Sequence, residues 1–210
     1  TMLSADQLLD ALLERARGVT ATETVPVTNA LGRVLAAPQT SAITVPPADN
    51  SAMDGYAVRV ADVVVAGVRL PVSQRILAGA VGAPLQPHTA ARIFTGAPVP
   101  AGADAVLMQE YCGTEGDEVI IHALPRLGEN VRRAGEDIQA GAQVLAAGTR
   151  LGAAEMGLAA SVGLAGLPVF RRLKVACFFT GDELVTPGEP LAPGQIYNSN
   201  RYTITGLVNG

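Results

Sequence analysis

The first seventeen residues carry an amphipathic pattern that predicts a helix. Four leucines recur at the spacing of one helical face: Leu8, Leu9, Leu12 and Leu13. Ser4 precedes them, and Gln7 lies three positions after that serine, which is the spacing of a capping box at a helix N-terminus. We therefore expect a capped helix that ends at about Arg17.

Short apolar runs separated by glycine- and proline-containing turns predict a compact β-domain in the middle of the chain. Five runs have this form: Gly55–Val60, Leu70–Ile76, Ala91–Phe94, Ala105–Glu110 and Glu118–Ala123. Runs of about four to eight residues bounded by turn residues are typical of strands. Gly113 to Asp117 is the expected hairpin loop, and residues 22–36 predict two further short strands around a turn at Asn29–Gly32.

The last part of the chain predicts the beginning of an α/β unit. Ala153 to Val162 has a helical pattern that Gly163 ends, and Val169 to Phe179 is apolar and favours a buried strand. A long loop, Gly181 to Gly194, then precedes a cluster of N-capping residues and a helix that starts near Arg201. A parallel sheet needs several such units, so we expect the chain to stop inside a domain.

Composition narrows the classes of function. The formal net charge is −4, which disfavours nucleic-acid binding and attachment to an anionic membrane. No apolar run reaches the ~18 residues of a membrane-spanning helix, and no signal peptide is recognisable, so we expect a cytoplasmic protein.

Cys112 and Cys177 lie far apart on apolar segments, and we expect both to be reduced, buried thiols. Motifs of P-loop hydrolases, zinc proteases and serine hydrolases are absent.

Two glycine-bearing loops present polar side chains suited to chemistry. Asp54 precedes Gly55, where a turn can expose its carboxylate, although Asp-Gly is also an ordinary turn pair. Thr95 ends a strand, where its hydroxyl and free neighbouring amides could donate hydrogen bonds to an anion. A β-branched residue that merely ends a strand explains Thr95 equally well. We expect Asn50 and Ser51 to stabilise the turn by hydrogen bonding.

Charged residues follow in two later segments. Arg132 and Arg133 lie beside acidic residues, and the residues alone favour a surface ion-pair cluster over an anion site. Asp182 and Glu183 follow the predicted strand Val169 to Phe179, at the edge where α/β sheets bind ligands. Their carboxylates could hold Mg²⁺ or act in acid–base chemistry, and solvated loop acids are the alternative.

Two polar residues stand at the start of the last predicted helix. Ser199 and Asn200 could bind an anion there, or simply cap the helix. His88 and His122 match no metal-binding spacing, and we expect both to be structural or surface residues.

Four segments taken together resemble one family. They are, in chain order, Asn50–Ala57, Phe94–Asp104, Glu129–Ile138 and Phe179–Leu184. In order and composition they closely resemble the MoeA/gephyrin-E family, the molybdopterin molybdenumtransferases. The resemblance runs along the whole chain, whereas members of this family are about twice as long, on a scale of ~100–200 residues per domain.

The resemblance implies an elongated α+β multidomain fold. Domain I would combine residues 18–46 with 139–170, and the compact β-domain II would span 47–138. Residues 1–17 and 171–210 would form the truncated start of an α/β molybdopterin-binding domain III. The expected fold class is thus β-rich N-terminal domains followed by the start of an α/β domain.

The resemblance also implies an activity, the insertion of molybdate into adenylylated molybdopterin with release of AMP and assistance from Mg²⁺. Asp54, Thr95 and Glu183 would be catalytic, and Asp182 would bind the metal. Four residues would bind the substrate or its anionic groups: Arg132, Arg133, Ser199 and Asn200.

The family's cleft joins two subunits, so the resemblance implies a homodimer. The molybdopterin adenylyltransferase is a further expected partner, while nucleic acid and membranes are not. The alternative from another class is a dimerising scaffold module of the gephyrin type. Because much of the α/β domain lies outside these 210 residues, we expect the chain alone to turn over slowly or not at all.

Overall fold

The structure, a computed structural model, describes residues 4–209. The chain divides into two compact units. Glu23–Val169 forms one unit, and the two ends of the chain, Thr1–Thr22 and Phe170–Gly210, form the other. Within the described residues, no helix is long and apolar enough to cross a membrane. The finer division of Glu23–Val169 into domains I and II stays a prediction.

Strands outnumber helices in the described residues. The strands are β1 Thr22–Pro26, β2 Gln39–Thr40, β3 Asn50–Ser51, β4 Gly55–Val58, β5 Val68–Ile76, β6 Ala90–Ile93, β7 Ala105–Met108, β8 Cys112–Glu115, β9 Glu118–Ile121, β10 Val131–Arg132, β11 Gln143–Leu145, β12 Gly166–Phe170, β13 Leu184–Val185 and β14 Ile196–Tyr197. The helices are α1 Ala5–Arg15, α2 Ala153–Ser161 and α3 Ser199–Asn209. This β-rich architecture with few helices is the one that the sequence predicts.

The centre of Glu23–Val169 is a six-stranded sheet with the order β7-β4-β6-β5-β9-β8. Neighbouring strands run antiparallel except β5 and β6, which are parallel. All four residues of β4 are buried because both faces of this strand are covered. Tyr56 and Val58 belong to the apolar core on one face, and Ala57 belongs to the core on the other. The five runs predicted between residues 55 and 123 therefore all contain strands of this sheet.

A separate apolar core lies in the same unit. Strand β1 pairs with β12, and β2 pairs with β11. The buried side chains of this core are Ala30, Leu35, Leu145, Leu151, Ala159, Leu167 and Val169. Helix α2 ends at Ser161, and Gly163 follows it with a φ of +81°, which confirms the predicted glycine stop.

Helix α1 begins as the sequence predicts. The Gln7 amide donates to Ser4 Oγ at 3.2 Å, and the Ser4 amide donates to Gln7 Oε1 at 3.0 Å, so the capping box is complete. The helix ends at Arg15, where the predicted end was about Arg17. None of its residues is buried, and its four leucines are at least half exposed.

The prediction of a buried strand from Val169 to Phe179 is wrong. Strand β12 ends at Phe170, residues 171–179 form no strand, and Phe178 is 88% exposed. A strand needs a neighbouring strand to which its backbone N–H and C=O groups can bond. Among the described residues of this unit, the only parallel pair of strands is β13 with β14. Residues 171–179 find no such neighbour in the described part of the chain.

Three smaller expectations also need correction. The hairpin turn is only Gly116 and Asp117, because residues 112–115 already belong to β8. In residues 22–36 only β1 is a strand, since Val34 and Leu35 make isolated bridges to distant segments. Cys177 is exposed rather than buried, whereas Cys112 is half-buried.

Candidate active site

The two-residue strand β3 brings three of the motif segments together. On one side it pairs antiparallel with β10, where Arg132 lies opposite Asn50. On the other side Ser51 exchanges two backbone hydrogen bonds, of 2.9 and 2.8 Å, with the loop that follows β6. Strand β3 therefore lies between the loop that carries Thr95 and the strand that carries Arg132.

Asp54 and Thr95 are in direct contact. The Thr95 amide donates to Asp54 Oδ1 at 2.8 Å, and the Thr95 hydroxyl donates to the same oxygen at 2.7 Å. The amide first, and then the hydroxyl, hold the pKa of the Asp54 carboxyl below its usual range, with a smaller contribution from Arg92. No hydrogen bond of the described residues reaches Asp54 Oδ2. The site thus presents a partly exposed, ionised carboxylate with one oxygen open to a ligand.

The expectation of free amides beside Thr95 is wrong. Its own amide and hydroxyl both donate to Asp54. The Gly96 amide donates to the Ser51 carbonyl at 2.8 Å, and the Ala97 amide is used within the turn. Because these donors already have partners in the fold, Thr95 fixes the position of Asp54 rather than offering an anion-binding set of amides.

The two polar residues before Asp54 behave differently from each other. Ser51 stabilises the turn as predicted, since its hydroxyl donates to the Met53 carbonyl at 2.6 Å and accepts from the Met53 amide at 3.3 Å. Asn50 does not, because its Oδ1 is buried and has no hydrogen-bond partner within residues 4–209. Buried acceptors without a partner are uncommon, so Asn50 Oδ1 is an exception among the buried polar atoms of the described residues.

Both arginines of the predicted anion site are paired with carboxylates. Arg132 donates to Asp137 at 2.6 Å and lies 3.8 Å from Glu136. Arg133 donates to Asp49 at 2.6 Å. The two guanidinium side chains are 41% and 61% exposed, so these pairs add little to stability and leave the arginines open to a competing anion. The ion-pair cluster is therefore real, and it is compatible with ligand binding.

Asp49 organises this arginine loop, and sequence reasoning missed it. Its Oδ1 accepts from the Ala134 amide at 2.8 Å, and its Oδ2 accepts from Arg133 at 2.6 Å. The Ala134 amide, and then Arg133, hold the pKa of the Asp49 carboxyl below its usual range. An acidic residue directly before Asn50 was the available signal.

Arg92 is the second residue that sequence reasoning missed. Its Nη1 donates to the Gly55 carbonyl at 2.8 Å, and its Nη2 donates to Gln109 Oε1 at 2.6 Å. The guanidinium also lies over Phe94, 4.4 Å from the ring centroid. Arg92 thereby joins the strands on either side of Asp54. An arginine inside the strand that leads to Thr95 was the signal in the sequence.

The second unit holds the other predicted site residues. Glu183, Ser199 and Asn200 line a cavity of about 400 Å³, while Asp182 is exposed and outside its lining. The two acidic residues do not follow a strand, contrary to expectation, because the strand before them is not formed. The carboxylate of Glu183 instead folds back over Gly181, where an added Cβ would lie 2.5 Å from Oε2.

Helix α3 starts at Ser199, close to the predicted start near Arg201. Asn198 Oδ1 accepts from the Arg201 amide at 3.1 Å, so Asn198 caps this helix. The side chains of Ser199 and Asn200 are therefore not needed as the cap, and both face the cavity that Glu183 lines.

Comparison with known proteins places the chain in a family. The family described as the MoeA N-terminal region (domain I and II) matches residues 3–163. The molybdopterin molybdenumtransferase of Nostoc sp. is 47% identical over 192 residues, which cover 89% of this chain and 44% of that protein. The enzyme of the same name from Haemophilus influenzae is 42% identical over 212 residues, 99% of this chain and 52% of that protein.

Solved structures agree with the sequence relatives. The molybdopterin biosynthesis MoeA protein from Pyrococcus horikoshii OT3 superposes with a TM-score of 0.87 at 32% identity, covering 100% of this chain and 57% of that one. The chain thus spans about half the length of the relatives that it matches. The segments assembled around Asp54 and the match along almost the whole chain show that this protein belongs to the MoeA family.

Proposed function

We propose that the protein of which these residues form part acts in molybdenum cofactor biosynthesis as a molybdopterin molybdenumtransferase. It inserts molybdate into adenylylated molybdopterin and releases AMP. The names of the relatives support this activity. The observation that carries it to this chain is the Asp54 carboxylate, held ionised by Thr95 with one oxygen open to a ligand.

In this proposal the protein acts mainly by positioning and by charge. Molybdate and the substrate's sulfur atoms supply the reacting groups, so the side chains need only hold them and stabilise charge. Asp54 Oδ2 accepts a hydrogen bond from a water or substrate donor, and Thr95 keeps the carboxylate ionised and fixed. Arg132 and Arg133 exchange a carboxylate partner for the anionic groups of the substrate.

The cavity beside α3 is proposed to hold the phosphate groups of the substrate. Glu183 acts there in acid–base chemistry, while Ser199 and Asn200 donate to phosphate oxygens at the helix N-terminus. The charge of the helix end favours an anion at this place. The cavity is large enough for a phosphate ester at about 400 Å³.

The donor set fits Mg²⁺ shared with substrate phosphate. No cluster of three or more His, Cys, Asp or Glu side chains within residues 4–209 could hold a metal by itself. Mg²⁺ commonly binds through one or two carboxylates plus phosphate oxygens and water, which the adjacent Asp182 and Glu183 could provide. Bound there, the ion would neutralise phosphate charge as AMP leaves.

The complete protein is proposed to be a homodimer whose cleft uses residues of both subunits, with the molybdopterin adenylyltransferase as the source of its substrate. The 210-residue chain alone is then expected to turn over slowly or not at all. A full-length version should bind adenylylated molybdopterin in calorimetric titration more tightly with Mg²⁺ than without it.

The test is AMP release that depends on molybdate, measured with the full-length protein. Asp54→Asn should lower the rate at least about 100-fold, because it removes the charge that the site is built to hold. Glu115→Gln, at an exposed surface pair with Arg69, is the matched control and should keep the wild-type rate. Equal rates for the two variants would refute the role of Asp54. Absence of substrate binding by the full-length protein would instead favour the gephyrin-type scaffold.

A further inference from the structure

A groove of about 310 Å³ lies on the six-stranded sheet, and Arg92 is the one residue of its lining that also has a role in the candidate active site. Tyr56, Arg75 and Arg92 line one side of it. Tyr56 on β4 is the register partner of Arg92 on β6, and Arg92 is the register partner of Arg75 on β5. Register partners extend to the same face of a sheet, so the three side chains form a row across neighbouring strands.

Two guanidinium groups in this row lie against one aromatic ring. The Cζ atoms of Arg75 and Arg92 are 4.7 and 4.4 Å from the centroid of Phe94. Stacking of this kind holds a guanidinium in place without using its N–H groups. Arg92 already donates three hydrogen bonds, so Arg75 offers more N–H groups to a ligand.

Neither arginine has a carboxylate partner among the ion pairs of residues 4–209. The acceptors of Arg92 are neutral, namely two carbonyls and the amide oxygen of Gln109. The side chain of Arg75 donates no hydrogen bond within the described part of the chain. Two positive charges thus face the groove without a direct ion pair to a carboxylate within residues 4–209.

The opposite wall is the β8–β9 hairpin. Thr114 contributes a hydroxyl there, and Asp117 and Glu118 contribute carboxylates. Glu118 also lies 3.9 Å from Arg69, so its charge is partly satisfied outside the groove. These carboxylates repel an anion that fills the whole groove. An anion held beside the two arginines, farther from the carboxylates, is repelled less.

We propose that this groove binds a phosphate group, free or as the ester of a small molecule, between the guanidinium groups of Arg75 and Arg92 and the Thr114 hydroxyl. Guanidinium groups bind phosphate oxygens in a planar, charge-assisted arrangement, and two of them match a dianion. The groove has room for a small organic group beside the phosphate. The proposal does not rest on the proposed molybdenum insertion, although Arg92 also bonds to the Gly55 carbonyl beside Asp54.

The experiment titrates the 210-residue chain with inorganic phosphate and then with glycerol 3-phosphate, while NMR follows the Nε–Hε signals of Arg75 and Arg92. Saturable shifts of both signals are expected, weakened by added salt. Tighter binding of glycerol 3-phosphate assigns the ester, and equal binding assigns the free anion. Absence of saturation in both titrations would overturn the proposal.

Three variants separate this site from general attraction of anions. Arg75→Gln should weaken binding about tenfold, the loss expected for one charge-assisted hydrogen bond. Arg150→Gln removes the same charge from an exposed residue outside the groove, opposite Val34, and should leave phosphate binding unchanged. Asp117→Asn should tighten binding a few-fold, because it removes a negative charge from the facing wall. Equal weakening of phosphate binding by Arg75→Gln and Arg150→Gln, or no tightening by Asp117→Asn, would count against phosphate binding in this groove.

Discussion

The Asp54 carboxylate accepts both hydrogen bonds that Thr95 can direct to it, at 2.8 Å from the amide and 2.7 Å from the hydroxyl. The two residues are 41 positions apart in the chain and belong to different strand ends of one sheet. Their contact sets the charge of Asp54, because a carboxylate that accepts hydrogen bonds is favoured over the neutral acid.

Thr95→Val should raise the pKa of Asp54 part of the way toward its ordinary value of 3.8. The rise is incomplete because the amide of residue 95, which remains, is the larger cause of the lowered pKa. The measurement is a titration of the Asp54 carboxyl carbon by NMR. Thr89→Val, at a threonine that donates to the Gln86 carbonyl, should leave this pKa unchanged. An unchanged pKa in Thr95→Val would show that the hydroxyl plays no part.

The same lowered pKa predicts how stability depends on pH. The folded pKa of Asp54 lies below the unfolded one, so its stabilising contribution is present above the unfolded value and is lost as pH falls through the folded pKa. Urea unfolding of wild type and Asp54→Asn should therefore differ most near neutral pH and converge in acid. A difference in the free energy of unfolding that grew toward low pH would contradict the predicted direction.

Gly55→Ala should destabilise the protein by at least about 2 kcal/mol, because overpacking forces the backbone to shift. A Cβ at position 55 would overlap the Leu107 carbonyl of the neighbouring strand β7, which cannot move without breaking the sheet. Urea unfolding measures the change. Gly157→Ala is the matched control, since position 157 lies in α2 with open space around it. That variant should gain up to about 1 kcal/mol from helix propensity.

The two cysteines should differ in reactivity. Burial raises the pKa of the Cys112 thiol to about 11, while Cys177 is exposed. A thiol-specific reagent at mildly alkaline pH should therefore label Cys177 quickly and Cys112 slowly, because the thiolate is the reactive form. Cys177→Ser should abolish the fast phase, and Cys112→Ser should keep it. Two equally fast thiols in the wild type would refute the prediction.

Asp49→Asn should loosen the arginine loop without unfolding the protein. The carboxylate of Asp49 accepts from the Ala134 amide and from Arg133, and both bonds weaken when the charge is removed. Hydrogen exchange at the Ala134 amide should accelerate, while global stability changes by less than about 1 kcal/mol. Asp137→Asn, which affects only Arg132, is the control and should leave that amide protected.

Local patterns in the sequence predicted the elements that depend on local interactions. The capping box of Ser4 and Gln7, the stop at Gly163 and the short strands of the central sheet follow from spacing and turn residues alone. Residues 171–179 were misread because an apolar, β-branched run becomes a strand only where a neighbouring strand can pair with it.

The candidate site was predictable only in part, for a similar reason. The motifs pointed to Asp54 and Thr95, but not to the hydrogen bonds between them. Asp49 and Arg92 were missed because their partners lie far away in sequence, at Arg133 and at Gln109. Which charges meet is decided by strand order and register, and no local pattern reports these.

Strand β3 is only two residues long, and it bonds to the Thr95 loop on one side and to the arginine strand on the other. A ligand that shifts the backbone at Arg132 would therefore also strain the Ser51 backbone to which the Thr95 loop is attached. Substitutions in the two loops should then be thermodynamically coupled. A double-mutant cycle of Asp49→Asn with Thr95→Val should depart from additivity by more than about 0.5 kcal/mol, so that this short strand makes two distant loops behave as one structural unit.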